Sequence, residues 1–170
     1  MAAAGTRTVA LLLLLAGPAL LPAGGCGTAD ENLAPGPVER AIRIDPEAGP
    51  RLLLDALTIR SLWVEGDSLF LEIAYGGGCR VHQFDAVAGR DFEGLEPPRL
   101  TVYLRHDADG EACEAHLTDT LSFHDGRVLD LFRQSGHDPA GSFIYRIVFP
   151  EESGSLRSVE VERRLGSGAG

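Results

Sequence analysis

On both sides of Glu65-Gly66-Asp67, between residues 57 and 75, apolar side chains recur with a period of two. Leu57, Ile59 and Trp63 alternate with Thr58 and Arg60, and beyond Glu65-Gly66-Asp67 the residues Leu69, Leu71, Ile73 and Tyr75 alternate with Ser68, Glu72 and Ala74. A period of two places successive side chains on opposite faces of an extended chain, so this segment reads as a hairpin with one dry and one wet face. The dry face has to be covered by another sheet. More strands follow at Val81 to Val87 and, after Pro97-Pro98, at Leu100, Val102 and Leu104. Asp109-Gly110 supplies the positive-φ residue of a tight hairpin leading to Cys113, Ala115 and Leu117. Leu121 to Phe123, Phe143 to Phe149 and Leu156 to Val161 complete the set, and the spacing of Val128, Leu131 and Phe132 predicts one short helix.

Seven or so short strands separated by turn signals predict an all-β fold: an immunoglobulin-like antiparallel β-sandwich with at most one short helix, a small β-barrel being the alternative. The chain has 170 residues, room for one ordinary domain. Its formal charge of −10 argues against a phosphate grip driven by basic side chains, so no nucleic-acid partner is expected.

The first 25 residues read as an export signal. Arg7 is the charged start, Val9 to Leu15 the apolar run, and Gly17-Pro18 a break that comes well short of the about 20 apolar residues a membrane span needs. Ala23-Gly24-Gly25 before Cys26 resembles the bacterial lipoprotein signal, although Ala23 stands where that pattern prefers leucine. The resemblance implies acylation at Cys26 and anchoring to a membrane, and Gly27 after the cysteine implies the outer one, facing periplasm or exterior. Secretion as a soluble protein is the alternative. Residues 26–50, with Pro35, Pro37, Pro46 and Pro50, read as a tether reaching about 27 Å if flexible. Within it Ile42 and Ile44 alternate with charges and could form a short edge strand. The sandwich is expected over residues 51–165 and a tail over residues 166–170.

If Cys26 is acylated, Cys79 and Cys113 remain, and in an oxidising compartment an even remainder predicts a disulfide. Closing that loop is worth about 3 to 4 kcal/mol. Gly76-Gly77-Gly78 before Cys79 reads as a turn or bulge. The competing reading is a zinc or copper site, since Cys79, His82, His106 and Cys113 offer four nitrogen and sulfur ligands whose strand parity lets three of them point inward. Under the disulfide reading no cofactor is expected, and His82 and His106 become core-edge imidazoles bonded to backbone carbonyls. His116 falls on the wet face.

Asp107, Asp109 and Glu111 form part of a calcium loop but lack its remaining ligands, so a plain turn is expected. His124-Asp125 and His137-Asp138 pair a base with a carboxylate, but neighbours on a strand face opposite ways and no nucleophile elbow is present. Asp125 reads instead as the N-cap of the short helix and Asp138-Pro139 as a turn. An enzyme is not expected.

The run Gly77, Gly78, Cys79, His82 and Phe84, then His106-Asp107, Cys113-Glu114, and Leu121 with Phe123, resembles uncharacterised bacterial β-sandwich lipoproteins of the NigD-like group. The likeness spans residues 76–132. It departs from that group's leucine-proline turn at His124-Asp125-Gly126-Arg127. It implies the fold and an envelope location, and leaves activity open. The expectation is therefore a lipid-anchored, non-enzymatic binding or accessory module that meets an unknown protein or glycan partner, with a metal-binding envelope protein as the second reading.

Overall fold

The computed structural model describes residues 39–166. The expected signal segment, Cys26, the first part of the expected tether and the end of the expected tail lie outside them. Ten regular elements follow in order: β1 (Glu39–Ala41), β2 (Arg43–Ile44), β3 (Thr58–Glu65), β4 (Ser68–Gly77), β5 (Gln83–Ala88), β6 (Arg99–Asp107), β7 (Ala115–His124), α1 (Gly126–Gln134), β8 (Ser142–Pro150) and β9 (Leu156–Arg164). A single 3-10 turn occupies Pro50–Leu52. Two sheets form a sandwich, ordered β1-β7-β4-β3 and β2-β5-β6-β8-β9, and neither closes into a barrel.

The expected hairpin is present: β3 and β4 pair antiparallel from Thr58↔Ala74 to Glu65↔Ser68. Alternation also places the core correctly. Along β6, Leu100, Val102, Leu104 and His106 are buried while the residues between them are not. Opposite them Leu69, Leu71 and Ile73 of β4 and Leu121 and Phe123 of β7 fill the other inner face.

The sheets are mixed rather than wholly antiparallel. Asp109 and Gly110 do take positive φ, 52° and 64°, and Glu111 N–H closes the turn on the Ala108 carbonyl. The chain beyond does not fold back beside β6, however. It crosses to the other sheet, where β7 pairs with β4, and returns through α1 to β8. Two crossings restore the original direction, so β8 lies parallel to β6. The strands expected separately at 113–117 and 121–123 are one continuous strand, β7, which begins at Ala115.

The domain also starts earlier than residue 51. Within the expected tether, β1 pairs parallel with β7 at Glu39↔Ser122 to Ala41↔His124. Ile42 N–H then bonds the His124 carbonyl, and β2 pairs parallel with β5 at Arg43↔Val87 and Ile44↔Ala88. One short segment thus touches both sheets and plugs the gap between them with Ile42, which is fully buried. The prolines at 46 and 50 fall after it, where no ladder bond is needed.

Helix α1 buries Val128 and Phe132 against the core, as its spacing predicts. Asp125 occupies the N-cap position but makes no side-chain cap bond. Its carboxylate turns inward instead.

Candidate functional site

Two inter-sheet crossovers lie side by side at one end of the sandwich. The ladder from Gly77↔Ala115 fixes the end of β4 beside the start of β7, and Gln83↔Asp107 fixes the start of β5 beside the end of β6. Residues 78–82 and 108–114, which connect these ends, are therefore neighbours. Cys79 and Cys113 join them in a disulfide, with Cα atoms 6.1 Å apart.

Beneath the disulfide sits a residue that the sequence reading assigned to a turn. Glu111 Oε1 accepts the Gly78 N–H at 2.6 Å and Oε2 accepts the Cys79 N–H at 2.9 Å. Its carboxylate therefore holds one crossover onto the other independently of the sulfur bridge. Gly77 makes room for it. At φ +140°, a Cβ there would lie 1.9 Å from Glu111 Oε1 and 2.4 Å from the His82 ring, so only glycine lets the carboxylate approach this backbone. This is the physical content of the glycine run, whose signal was visible but whose occupant was not.

Glu111 begins a chain of hydrogen bonds running inward. His82 Nε2 lies 2.8 Å from Glu111 Oε1, His82 Nδ1 lies 2.7 Å from His106 Nε2, and His106 Nδ1 lies 3.1 Å from the Ala56 carbonyl oxygen. The His82 and Glu111 side chains are each 3% exposed, and His106 is 1% exposed. Tyr75 and Phe84 wall the pair, with Tyr75 4.7 Å from the His82 ring and Phe84 4.7 Å from the His106 ring, centroid to centroid.

Three contacts in a line need three hydrogens. The Ala56 carbonyl can only accept, so His106 carries a hydrogen on Nδ1. Two neutral imidazoles bring two hydrogens between them, and with an ionised Glu111 any placement leaves one contact with facing lone pairs. Burial pushes the Glu111 carboxyl up, but the bonds from His82 and the Cys79 and Gly78 N–H groups outweigh it and hold the group below its ordinary range. Burial holds His106 below the usual histidine range, against the Ala56 bond, with His82 adding to the depression. Both shifts favour the ionised form of Glu111 and the neutral form of His106.

This arrangement bears on the ligand sets expected from sequence. His106 takes a backbone carbonyl as predicted, whereas His82 bonds Glu111 and His106 instead. Cys79, His82, His106 and Cys113 do not gather around one point; among the described residues the group whose ligand atoms come within 4.8 Å is Cys79, Glu111 and Cys113, and its sulfurs are bonded to each other. Asp107 pairs with Arg105 at 2.6 Å and Asp109 with Arg80 at 2.7 Å, so neither faces a calcium-like centre with Glu111. His116 is exposed, as its parity predicts.

The histidine–aspartate pairs divide as strand geometry requires. His124 Nε2 lies 3.0 Å from Asp67 Oδ2 near the surface, while Asp125 is wholly buried. Asp125 Oδ2 accepts the Tyr145 hydroxyl at 3.1 Å and lies 2.9 Å from Arg163 Nε in a bent ion pair, and Oδ1 has no hydrogen-bond partner among the described residues. Burial raises the Asp125 carboxyl pKa, despite the Arg163 charge, and burial likewise raises that of the Tyr145 hydroxyl. A period-two signal for this cluster was present in part: Arg163 shares its strand parity with Val159 and Val161, which pack against the core, while Glu160, Glu162 and Arg164 face water. His137 stacks on Phe132 at 4.7 Å, and Asp138 caps the turn by accepting the Ala140 N–H at 2.9 Å.

No family model matches the chain, and a search of curated proteins found none similar to it. Solved structures do share its fold. A protein described as toxin-related from Parabacteroides distasonis aligns with TM-score 0.56 at 13% identity, covering 75% of this chain and 61% of that one. A NigD-like immunity protein from Bacteroides caccae aligns with TM-score 0.50 at 18% identity, covering 74% and 64%. A protein of unknown function from Bacteroides vulgatus aligns with TM-score 0.52 at 15% identity, covering 78% and 59%. The chain thus spans about three fifths of each of these proteins, and at such identities the likeness is one of fold. A NigD-like fold is supported.

Proposed function

We propose that this chain is a lipid-anchored module of the bacterial envelope that binds a partner through the clamped end of its sandwich and performs no chemistry of its own. The observation that carries the reading is the double clamp, in which the Cys79–Cys113 bridge and the Glu111 carboxylate tie two crossovers together. A loop pair fixed in this way loses little conformational entropy on meeting a partner. Its tip carries Val81, 86% exposed, a large apolar side chain presented to solvent.

The relay beneath supports binding over catalysis. A base that acts on a substrate has to reach it, whereas His82 and His106 are sealed and their ring nitrogens are spent on each other, on Glu111 and on Ala56. A disulfide also suits an exported domain. Among the described residues no helix is long and apolar enough to cross a membrane, and the attachment proposed is acylation of Cys26.

Two measurements test the reading. Growth of the producing bacterium with an alkyne-tagged fatty acid should label the chain and lose the label on Cys26→Ala; an unlabelled, secreted chain contradicts the anchor. A photo-crosslinking amino acid at position 81 in living cells should trap one discrete partner, and trapping should weaken in the Cys79→Ser/Cys113→Ser double variant. Uniform background crosslinking in both would contradict the binding role.

A further inference from the structure

The outer edge of β5 is only partly used. Strand β2 pairs with it at Val87 and Ala88 alone, because the chain before Arg43 leaves for the other sheet to pair with β7. Among the described residues, no strand pairs with this edge from Gln83 to Ala86. Where the chain departs, a groove of about 600 Å³ opens between residues 40–43 and residues 81–85. Its walls carry Arg40, Arg43 and Arg127 against one carboxylate, Asp85, with Val81 at the rim. Asp85 is already shared, lying 3.2 Å from Arg105 and 4.0 Å from Arg43. The Arg127 side chain, exposed on the first turn of α1, makes no hydrogen bond or ion pair with a described residue.

We infer that this groove receives an extended, acidic segment of a partner protein, which adds as a strand to β5 between Gln83 and Ala86. The inference rests on the reading of the domain as a binding module and names the chemistry of its partner. Main-chain pairing supplies affinity for any extended chain, and β2 shows that this same edge already accepts a strand. Four residues of strand run about 13 Å, the length of the unpaired stretch. The arginines supply the selectivity: on a chain of net charge −10, Arg43 and Arg127 beside Asp85, a carboxylate already shared with Arg105, form a local field of opposite sign that attracts carboxylates. Anionic headgroups would answer the charge but could not use the strand edge.

The test uses the full chain as a Cys26→Ser variant, so that vesicle binding cannot come from the anchor. Calorimetry is run against an eight-residue peptide alternating glutamate with valine, the same peptide with a central proline, and phosphatidylglycerol vesicles. Saturable binding is expected for the alternating peptide alone, weakened about tenfold in Arg43→Glu/Arg127→Glu, with slowed amide exchange confined to residues 83–86. Unchanged circular dichroism of that variant confirms its fold. No saturable binding up to ~1 mM, equal binding of the proline peptide, or binding to vesicles alone overturns the proposal. If the peptide fails while position 81 still traps a partner in cells, only the groove assignment falls. Failure of both removes the binding reading as well.

Discussion

Replacing Cys79 and Cys113 together by serine removes a cross-link between residues separated by 34 positions. For a loop of that length the chain-entropy relation assigns the bridge about 4 kcal/mol of stabilisation, nearly all of it through the unfolded ensemble. With residues 39–166 as the folding unit, the unfolding entropy is about 0.27 kcal/mol/K, so the melting temperature should fall by about 14 °C. The folded geometry should change little, because Glu111 still binds the Gly78 and residue 79 N–H groups across the same gap. Differential scanning calorimetry of the wild type and the double serine variant gives the difference, and circular dichroism at 20 °C verifies that the variant is folded. A fall of less than ~3 °C would refute the reasoning, since it would mean the bridge constrains nothing the unfolded chain explores. A variant that never folds would refute it from the other side, by showing that the crossovers depend on the sulfur bridge to form.

Gly77→Ala should cost about 1 to 3 kcal/mol from backbone strain alone, and more from displacing Glu111 and His82, whose atoms lie 1.9 and 2.4 Å from the new Cβ; urea denaturation measures it, and a wild-type midpoint would contradict the packing. Ile42→Ala should cost about 2 to 5 kcal/mol, because that side chain is fully buried between the sheets; a negligible loss would mean that the segment from Glu39 to Ile44 is not part of the core. Stability should decline on the acid side in two stages. His106, a base lowered by burial, and Glu111, an acid lowered by its bonds, both bind protons more readily when unfolded, so stability is lost as pH falls below about 6.5 and then further below about 4.3. The groups surrounding the pair are Tyr75, whose own pKa burial raises, and Asp55, which holds the Ala108 N–H at 2.8 Å. His106→Phe should abolish the first stage in urea titrations; a flat wild-type profile between pH 7 and 5 would contradict it.

Part of this structure was legible in the sequence because it follows from local rules. Burial of His106 follows from its sharing a parity with Leu100, Val102 and Leu104, and the pairing of Cys79 with Cys113 from the even remainder of cysteines. What escaped depends on which strand lies beside which. Periodicity shows that residues 99–107 and 115–124 are strands but not that the turn between them leads to the other sheet, and the parallel β6–β8 ladder is a consequence of that one crossing. Ile42 and Ile44 carried a weak two-residue signal amid prolines, and its strength came only from tertiary burial. Glu111 looked like a turn residue because its partners, Gly78, Cys79 and His82, are some thirty positions away. Asp125 satisfied the pattern of a helix cap, yet Tyr145 and Arg163 compete for its carboxylate and hold it inside. In each case a local preference was real and a long-range partner decided the outcome.

The central claim is that the two crossovers are joined by oxidised sulfur over a carboxylate. Peptide mapping of the chain purified from its own envelope without reductant, with metal analysis of the same sample, tests it most directly. The account predicts a single cross-linked peptide containing Cys79 and Cys113 and no stoichiometric zinc or copper. Two free thiols at those positions with one bound ion would contradict it.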